Sequence, residues 1–283
     1  MRTLKEGCPK VWGVTLDLLL FTVDPVRAAG AVRAGVAGVV VDWEARGKSR
    51  RQEGEGTEVN AHTPEDLARV RAAVPVGAGR VVVRLDGAGA HTRAQVDRAL
   101  ALGADELLLP MVRTPDDVDL ALEAVAGRCG LGILVETQDA VDAVDALAQR
   151  PLARVYVGLN DLRIDRGRPV GAAHLFAPLV DGTVDAVRAA VGSTPFGVAG
   201  LTRTGGGAPV ATRLLAGELA RLDASFTFLR RSFCADVPLA AMCREVPRML
   251  AGVEQARRRS AAQVLADRAA LVAAVGAPVP QVA

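Results

Sequence analysis

Charged side chains in this chain of 283 residues collect at a few places, each directly behind a short apolar run. Asp42 and Glu44 follow "GVVV", Arg84 and Asp86 close "VVVRLD", and Glu136 ends "GILVE". Asn160 and Asp161 follow "VYVGL", and Arg230 and Arg231 follow "FTFL". In an extended strand, residues two apart share a face, so Asp42 with Glu44 and Arg84 with Asp86 point the same way. One acid behind a strand is well explained by a helix cap or a surface ion pair. Several acids gathered around one arginine in a low-dielectric mouth repel one another, and a divalent cation removes that conflict. The oxygen-only donor set, with no histidine at these ends, favours Mg²⁺, or Mn²⁺ as a substitute.

Such a rim needs strands that all end on the same side. The candidate strands are 12–16, 38–41, 81–85, 106–111, 132–135, 155–159, 196–200 and 226–229, all nearly continuous apolar runs. Runs apolar on both faces are the pattern of parallel strands covered by helices. The helices between them announce their starts. "HTPEDLARVRAA" and "RTPDDVDLALEAV" each offer a threonine N-cap, a proline in the first turn and then acids, where the helix dipole favours negative charge. Eight strand-helix repeats over about 250 residues predict a (β/α)8 TIM barrel, whose active site lies at the carboxyl ends of the strands. A doubly wound open sheet is the runner-up, but no glycine-rich phosphate loop follows the first strand. "GRCGLG" at 127–132 precedes a strand and reads as a turn; "RTGGGAP" at 203–209 reads as a loop.

Composition narrows the partners. Net charge is +2, which leaves no electrostatic footprint for nucleic acid. No apolar run is long enough to span a bilayer, since Asp17 interrupts the best candidate. There is no secretion signal, and Cys8, Cys129, Cys234 and Cys243 show neither metal spacing nor a disulfide framework, so a cytoplasmic protein is expected. His62, His91 and His174 all read as solvated loop residues. No lysine follows Lys48, so strands three to eight offer no Schiff-base amine. Carbon–carbon chemistry here would need a metal-stabilised enolate. No linker divides the chain, so residues 1–283 are expected to form one domain. The segment from Ala45 to His62 is the longest excursion and reads as a lid or a solvated loop. Residues 236–275 predict extra helices, the first interrupted at Pro247, suited to packing on a neighbouring subunit.

"GVVVDWE", "VVVRLDG", "GADELLLPMVRTPDDVD", "GILVETQDAV" and "VYVGLNDLRIDRG", in that order over roughly residues 10–235, resemble the HpcH/HpaI aldolase and citrate lyase beta-subunit family. The resemblance implies an Mg²⁺-dependent barrel that breaks or makes a bond beside an enolate. Its substrate would be a small carboxylate, a 2-oxo acid or a 3-hydroxyacyl thioester. The metal glutamate of the family's "ET" motif falls on Glu136, and the metal aspartate of its "G-x-x-D-L" motif on Asp161. The substrate-carboxylate arginine falls on Arg84, and the acids after strand two on Asp42 and Glu44. Gly158 would let the backbone approach the substrate, so that amides near Leu159 and Asn160 reach its carboxylate. The resemblance also implies a homotrimer or homohexamer. Two departures stand out: Ala45 occupies the place of the histidine in the aldolase branch's "D-G-E-H", and Leu134 the place of a glutamine. A condensing synthase, a thioesterase or a carboxylate-binding barrel without catalysis would use the same site.

Overall fold

The computed structural model describes residues 16–45 and 62–276. Eight strands, β1 (Asp17–Phe21), β2 (Gly38–Asp42), β3 (Arg80–Arg84), β4 (Glu106–Leu109), β5 (Gly130–Val135), β6 (Arg154–Val157), β7 (Phe196–Val198) and β8 (Phe226–Leu229), close into a barrel. All neighbours pair parallel, and β1 also pairs with β8, so no sheet edge is left open. The TIM barrel expected from the alternation of runs is the fold of the chain.

Period-two alternation explains why the strands are apolar on both faces. Leu19, Val40, Val82, Leu108, Leu134, Tyr156, Phe226 and Phe228 point inward and fill the barrel. Their neighbours, among them Val39, Val41, Val81, Val83, Leu107, Ile133 and Val155, point outward into the layer beneath the helices. Below the inner apolar layer Glu106 and Arg154 form a buried ion pair, with the Arg154 guanidinium 4.6 Å over the Phe226 ring. Gly132 makes room for it, since a Cβ there would lie 2.6 Å from Arg154 Cγ.

The outer layer contains α1 (Pro25–Arg33), α2 (Pro64–Ala73), α3 (Thr92–Ala101), α4 (Pro115–Val125), α5 (Gln138–Asp142), α6 (Val144–Leu147) and α7 (Leu159–Asp165). It continues with α8 (Ala172–Phe176), α9 (Thr183–Val191), α10 (Thr212–Arg221), α11 (Arg231–Asp236), α12 (Leu239–Arg257) and α13 (Ala261–Gly276). Thr63 and Asp66 form the capping box that starts α2. Asp117 accepts from the Thr114 and Arg113 amides at the start of α4.

Several boundaries differ from the sequence-based expectation. Of the first candidate strand only Leu16 falls within the described residues, and β1 is Asp17–Phe21 instead. Asp17 is tolerated there because it opens the strand at the exposed rim and pairs with Arg80 at 2.7 Å. The fourth strand stops at Leu109, because Met111 turns to a φ of 54° after Pro110. Leu159 belongs to α7, not to β6. His174 lies in α8, not in a loop. The helix α12 runs straight through Pro247. Proline there removes one backbone donor, and the helix persists because Met242, Val246, Met249, Leu250 and Val253 are buried along one face. Both α12 and α13 pack on α10 of the same chain. Of the excursion from Ala45 to His62, residues 46–61 lie outside the described residues. No helix among the described residues is long and apolar enough to cross a membrane.

Candidate functional site

The inward parity of each strand, carried two residues further, builds a largely polar layer on top of the apolar one. It brings Phe21, Asp42, Arg84, Glu136, Gly158 and Arg230 to the carboxyl-end mouth. Most of them line a cavity of about 590 Å³, together with Tyr156, Leu159, Asn160, Asp161 and Phe176. Of the residues expected from the sequence, Arg84, Glu136, Gly158, Leu159, Asn160 and Asp161 line this chamber, whereas Asp42 and Glu44 lie buried behind Arg84 and do not.

Arg84 and Asp42 are register partners on β3 and β2. Their side chains meet as a fork, Nε to Oδ1 at 2.8 Å and Nη2 to Oδ2 at 2.7 Å. The Glu44 carboxylate stands 3.1 Å from the same Nη2. Asp42 is wholly buried, and its Oδ1 also accepts from the Glu44 amide at 3.2 Å. Burial alone would lower the Arg84 pKa, but the charge and hydrogen bond of Asp42, then Glu44 and Glu136, drive it above the ordinary arginine value. Arg84 is therefore a fixed cation, already half used by the protein itself. Asp86 does not join it: its Oδ1 accepts from the Ala45 amide at 2.8 Å, and it does not line the cavity.

Glu136 closes β5 and is 2% exposed. Its Oε1 accepts from the Met111 amide at 2.9 Å, which is what the left-handed turn after β4 accomplishes. Its Oε2 lies over β6, where a Cβ on Gly158 would come within 2.5 Å. Only glycine leaves space for the carboxylate at that position. Burial, then the negative charges of Asp161 and Glu44, push the Glu136 carboxyl up to about 8, against the opposing pull of Arg84. The repulsion expected of converging carboxylates is thus present at Glu136. Asp161 lies in the first turn of α7, directly after Leu159 and Asn160, and Arg163 donates to Asn160 Oδ1 at 3.4 Å.

Two features were not legible beforehand. The Met111 amide is one, though Pro110 beside it was a signal for a turn. His62 is the second: instead of being solvated it lines the chamber, with Nδ1 accepting from the Asp42 amide at 2.9 Å. Arg230 and Arg231, read from the sequence as the end of strand eight, line the same cavity as Arg84. His91, by contrast, begins α3 beside the Asp86 carbonyl.

No protein-family model matches the chain, and no curated protein is a significant match. Solved structures do match. An HpcH/HpaI aldolase from Desulfitobacterium hafniense DCB-2 is 16% identical, with 87% of this chain and 94% of that chain covered, at a TM-score of 0.60. A citrate lyase beta subunit from M. tuberculosis, complexed with oxaloacetate and magnesium, is 18% identical over 86% of this chain and 97% of its own, at 0.57. An HpcH/HpaI aldolase/citrate lyase family protein from Burkholderia cenocepacia J2315 is 19% identical over 76% and 87%, at 0.56. At these identities the likeness is one of fold.

Proposed function

We propose that the chain is a carbon–carbon lyase of the HpcH/HpaI aldolase and citrate lyase beta-subunit type, working with Mg²⁺ on a 2-oxo acid or a 3-hydroxyacyl thioester. One observation carries this reading: Glu136 is held buried beside a second carboxylate, Asp161, in a chamber at the catalytic end of a TIM barrel. The donor chemistry fits a hard divalent cation. Both groups are carboxylates, and Gly158 keeps the space around Glu136 Oε2 clear. Among the described residues no three potential ligands converge; an ion here would have two carboxylates and complete its shell with water. Glu136 and Asp161 would hold it, and Mg²⁺, or Mn²⁺ in its place, would supply positive charge to an oxygen that becomes anionic as the bond breaks.

The remaining roles belong to the chain itself. Arg84 binds the substrate carboxylate through Nη1, the guanidinium nitrogen that Asp42 does not engage. Asp42 has both oxygens on Arg84, so it positions that cation and takes no part in proton transfer. Amides of Leu159 and Asn160, in the first turn of α7 where backbone donors lack helical partners, offer further hydrogen bonds to the carboxylate. Glu44 is buried against Arg84 and does not line the cavity, so its assigned part in removing the proton of a substrate hydroxyl, the task that Ala45 cannot perform, is to orient a water that takes it. His62 accepts at Nδ1 from a backbone amide, which keeps the proton of the neutral ring on Nε2 and makes it a donor. The likeness in fold to a barrel that holds oxaloacetate and magnesium supports the substrate class.

The test is Mg²⁺-dependent turnover in a screen of oxaloacetate, other 2-oxo acids and malyl-type thioesters, with Mg²⁺ binding followed by calorimetry. Native protein should bind Mg²⁺, and Glu136→Gln should bind it at least tenfold more weakly. Equal binding in the two, or turnover indifferent to chelation, overturns the reading.

A further inference from the structure

Arg230 has no part in the roles above, yet it continues the inward-facing column of β8 formed by Phe226 and Phe228. It lines the same chamber as Arg84, Glu136 and Asp161. Among the described residues the other arginines on the inward faces of the strands are neutralised: Arg80 by Asp17, Arg84 by Asp42 and Glu44, Arg154 by Glu106. Arg230 is different. Among the described residues its guanidinium meets no carboxylate, and its one specific neighbour is the face of Phe176, 5.2 Å from the ring centroid. Gly200 lets the side chain lie across the end of β7, since a Cβ there would meet Arg230 Cγ at 2.8 Å. Tyr156, Glu136 and Arg230 all line this one cavity.

Burial pulls the Arg230 pKa down from the ordinary arginine value, but a guanidinium stays charged in proteins. A half-buried cation facing an aromatic ring, without a counter-ion, is relieved by an anion that enters the cavity. A planar fork of donors matches one carboxylate in particular.

We propose that Arg230 receives a second carboxylate of the substrate, so that the chamber, read as a small-carboxylate site, selects a dicarboxylate over a monocarboxylate. The first carboxylate goes to the Arg84 side, on β3, and the second to the β8 side. This rests on the proposed function for the first anchor but not for the second, which needs no metal.

The experiment compares malate with lactate, a pair that differs by one carboxylate and does not decarboxylate. Binding of each, as racemate, is measured by calorimetry with and without Mg²⁺, on native protein, Arg230→Gln and Arg230→Lys. Native protein should bind malate about tenfold or more tightly than lactate. Arg230→Gln should bring malate down to the level of lactate while leaving lactate within about twofold, and Arg230→Lys should fall between. Malate affinity unchanged in Arg230→Gln overturns the proposal. So does an equal loss for both ligands, which would mean that Arg230 only shapes the pocket, and so does failure of native protein to separate them. Malate selectivity without Mg²⁺ in a protein that shows no metal-dependent turnover would uphold this subsite and sink the lyase reading. Turnover without malate selectivity would do the reverse.

Discussion

Replacing Glu136 by glutamine in metal-free protein isolates the electrostatic strain of the chamber. Burial first, then Asp161 and Glu44, hold this carboxyl at about 8 where an ordinary one sits at 4.5. A carboxyl whose pKa rises on folding binds its proton more tightly in the native state. Its contribution to stability is complete below the unfolded value and is lost as pH climbs through the folded one. Each pH unit inside that window removes about 1.4 kcal/mol, so ionisable Glu136 destabilises the metal-free fold by about 3 kcal/mol at pH 7. Glutamine has the same shape and still accepts from the Met111 amide, a bond of 2.9 Å in the native chain, but carries no charge. Urea unfolding in the presence of a chelator should therefore show the two proteins nearly equal at pH 5. The variant should then be ahead by about 3 to 4 kcal/mol between pH 7 and 8. Saturating Mg²⁺ should reverse the gain, because only native protein is stabilised by a ligand bound to its folded state. If the difference between the two stays flat from pH 5 to 8, Glu136 carries no such penalty and the argument for a cation beside it fails.

Arg84→Lys gives up the planar fork while Asp42 remains wholly buried. We expect about 3 kcal/mol of destabilisation and roughly tenfold weaker binding of oxalate, by calorimetry; equal oxalate affinity would confine Arg84 to serving Asp42. Gly158→Ala places a methyl group 2.5 Å from Glu136 Oε2, so Mg²⁺ affinity should drop by about tenfold or more, a change of about 1.4 kcal/mol, while α7 still forms by circular dichroism. Unaltered Mg²⁺ binding in that variant would show that the Glu136 carboxylate does not need its observed position. Glu44→Gln should slow retro-aldol cleavage more than Mg²⁺-dependent decarboxylation of oxaloacetate, since only the former must remove a hydroxyl proton; equal losses would place Glu44 in the service of Arg84.

The barrel was readable because each strand repeats one message on both faces, as "GVVVD" and "RVVVR" do, and because threonine-proline starts mark two of the helices. The mouth was readable because strand parity is strict: from Val40 inward-facing, Asp42 must also face inward. What escaped was set by contacts between distant segments. That Arg84 spends its fork on Asp42 depends on the register of β2 with β3, and no local pattern encodes register. His62 reaches the chamber from the far end of a long excursion. The Met111 amide reaches Glu136 only because the chain turns sharply after Pro110. The first strand was expected at 12–16, short of Asp17, although a charge at a rim with a basic neighbour costs a strand little.

The packed interior of the barrel has a consequence for traffic. Leu19, Val40, Val82, Leu108, Tyr156 and Phe226 seal the floor beneath the chamber, and the Glu106–Arg154 pair plugs the space below them. Among the described residues the barrel beneath the chamber is filled, so the chamber does not open through the barrel. Whatever goes in must come out the same way, in last-in, first-out order. In the proposed cleavage, a fragment left at the bottom would bar the next molecule from entering. Products should therefore compete directly with substrate, and the slowest departure should belong to the fragment gripped deepest.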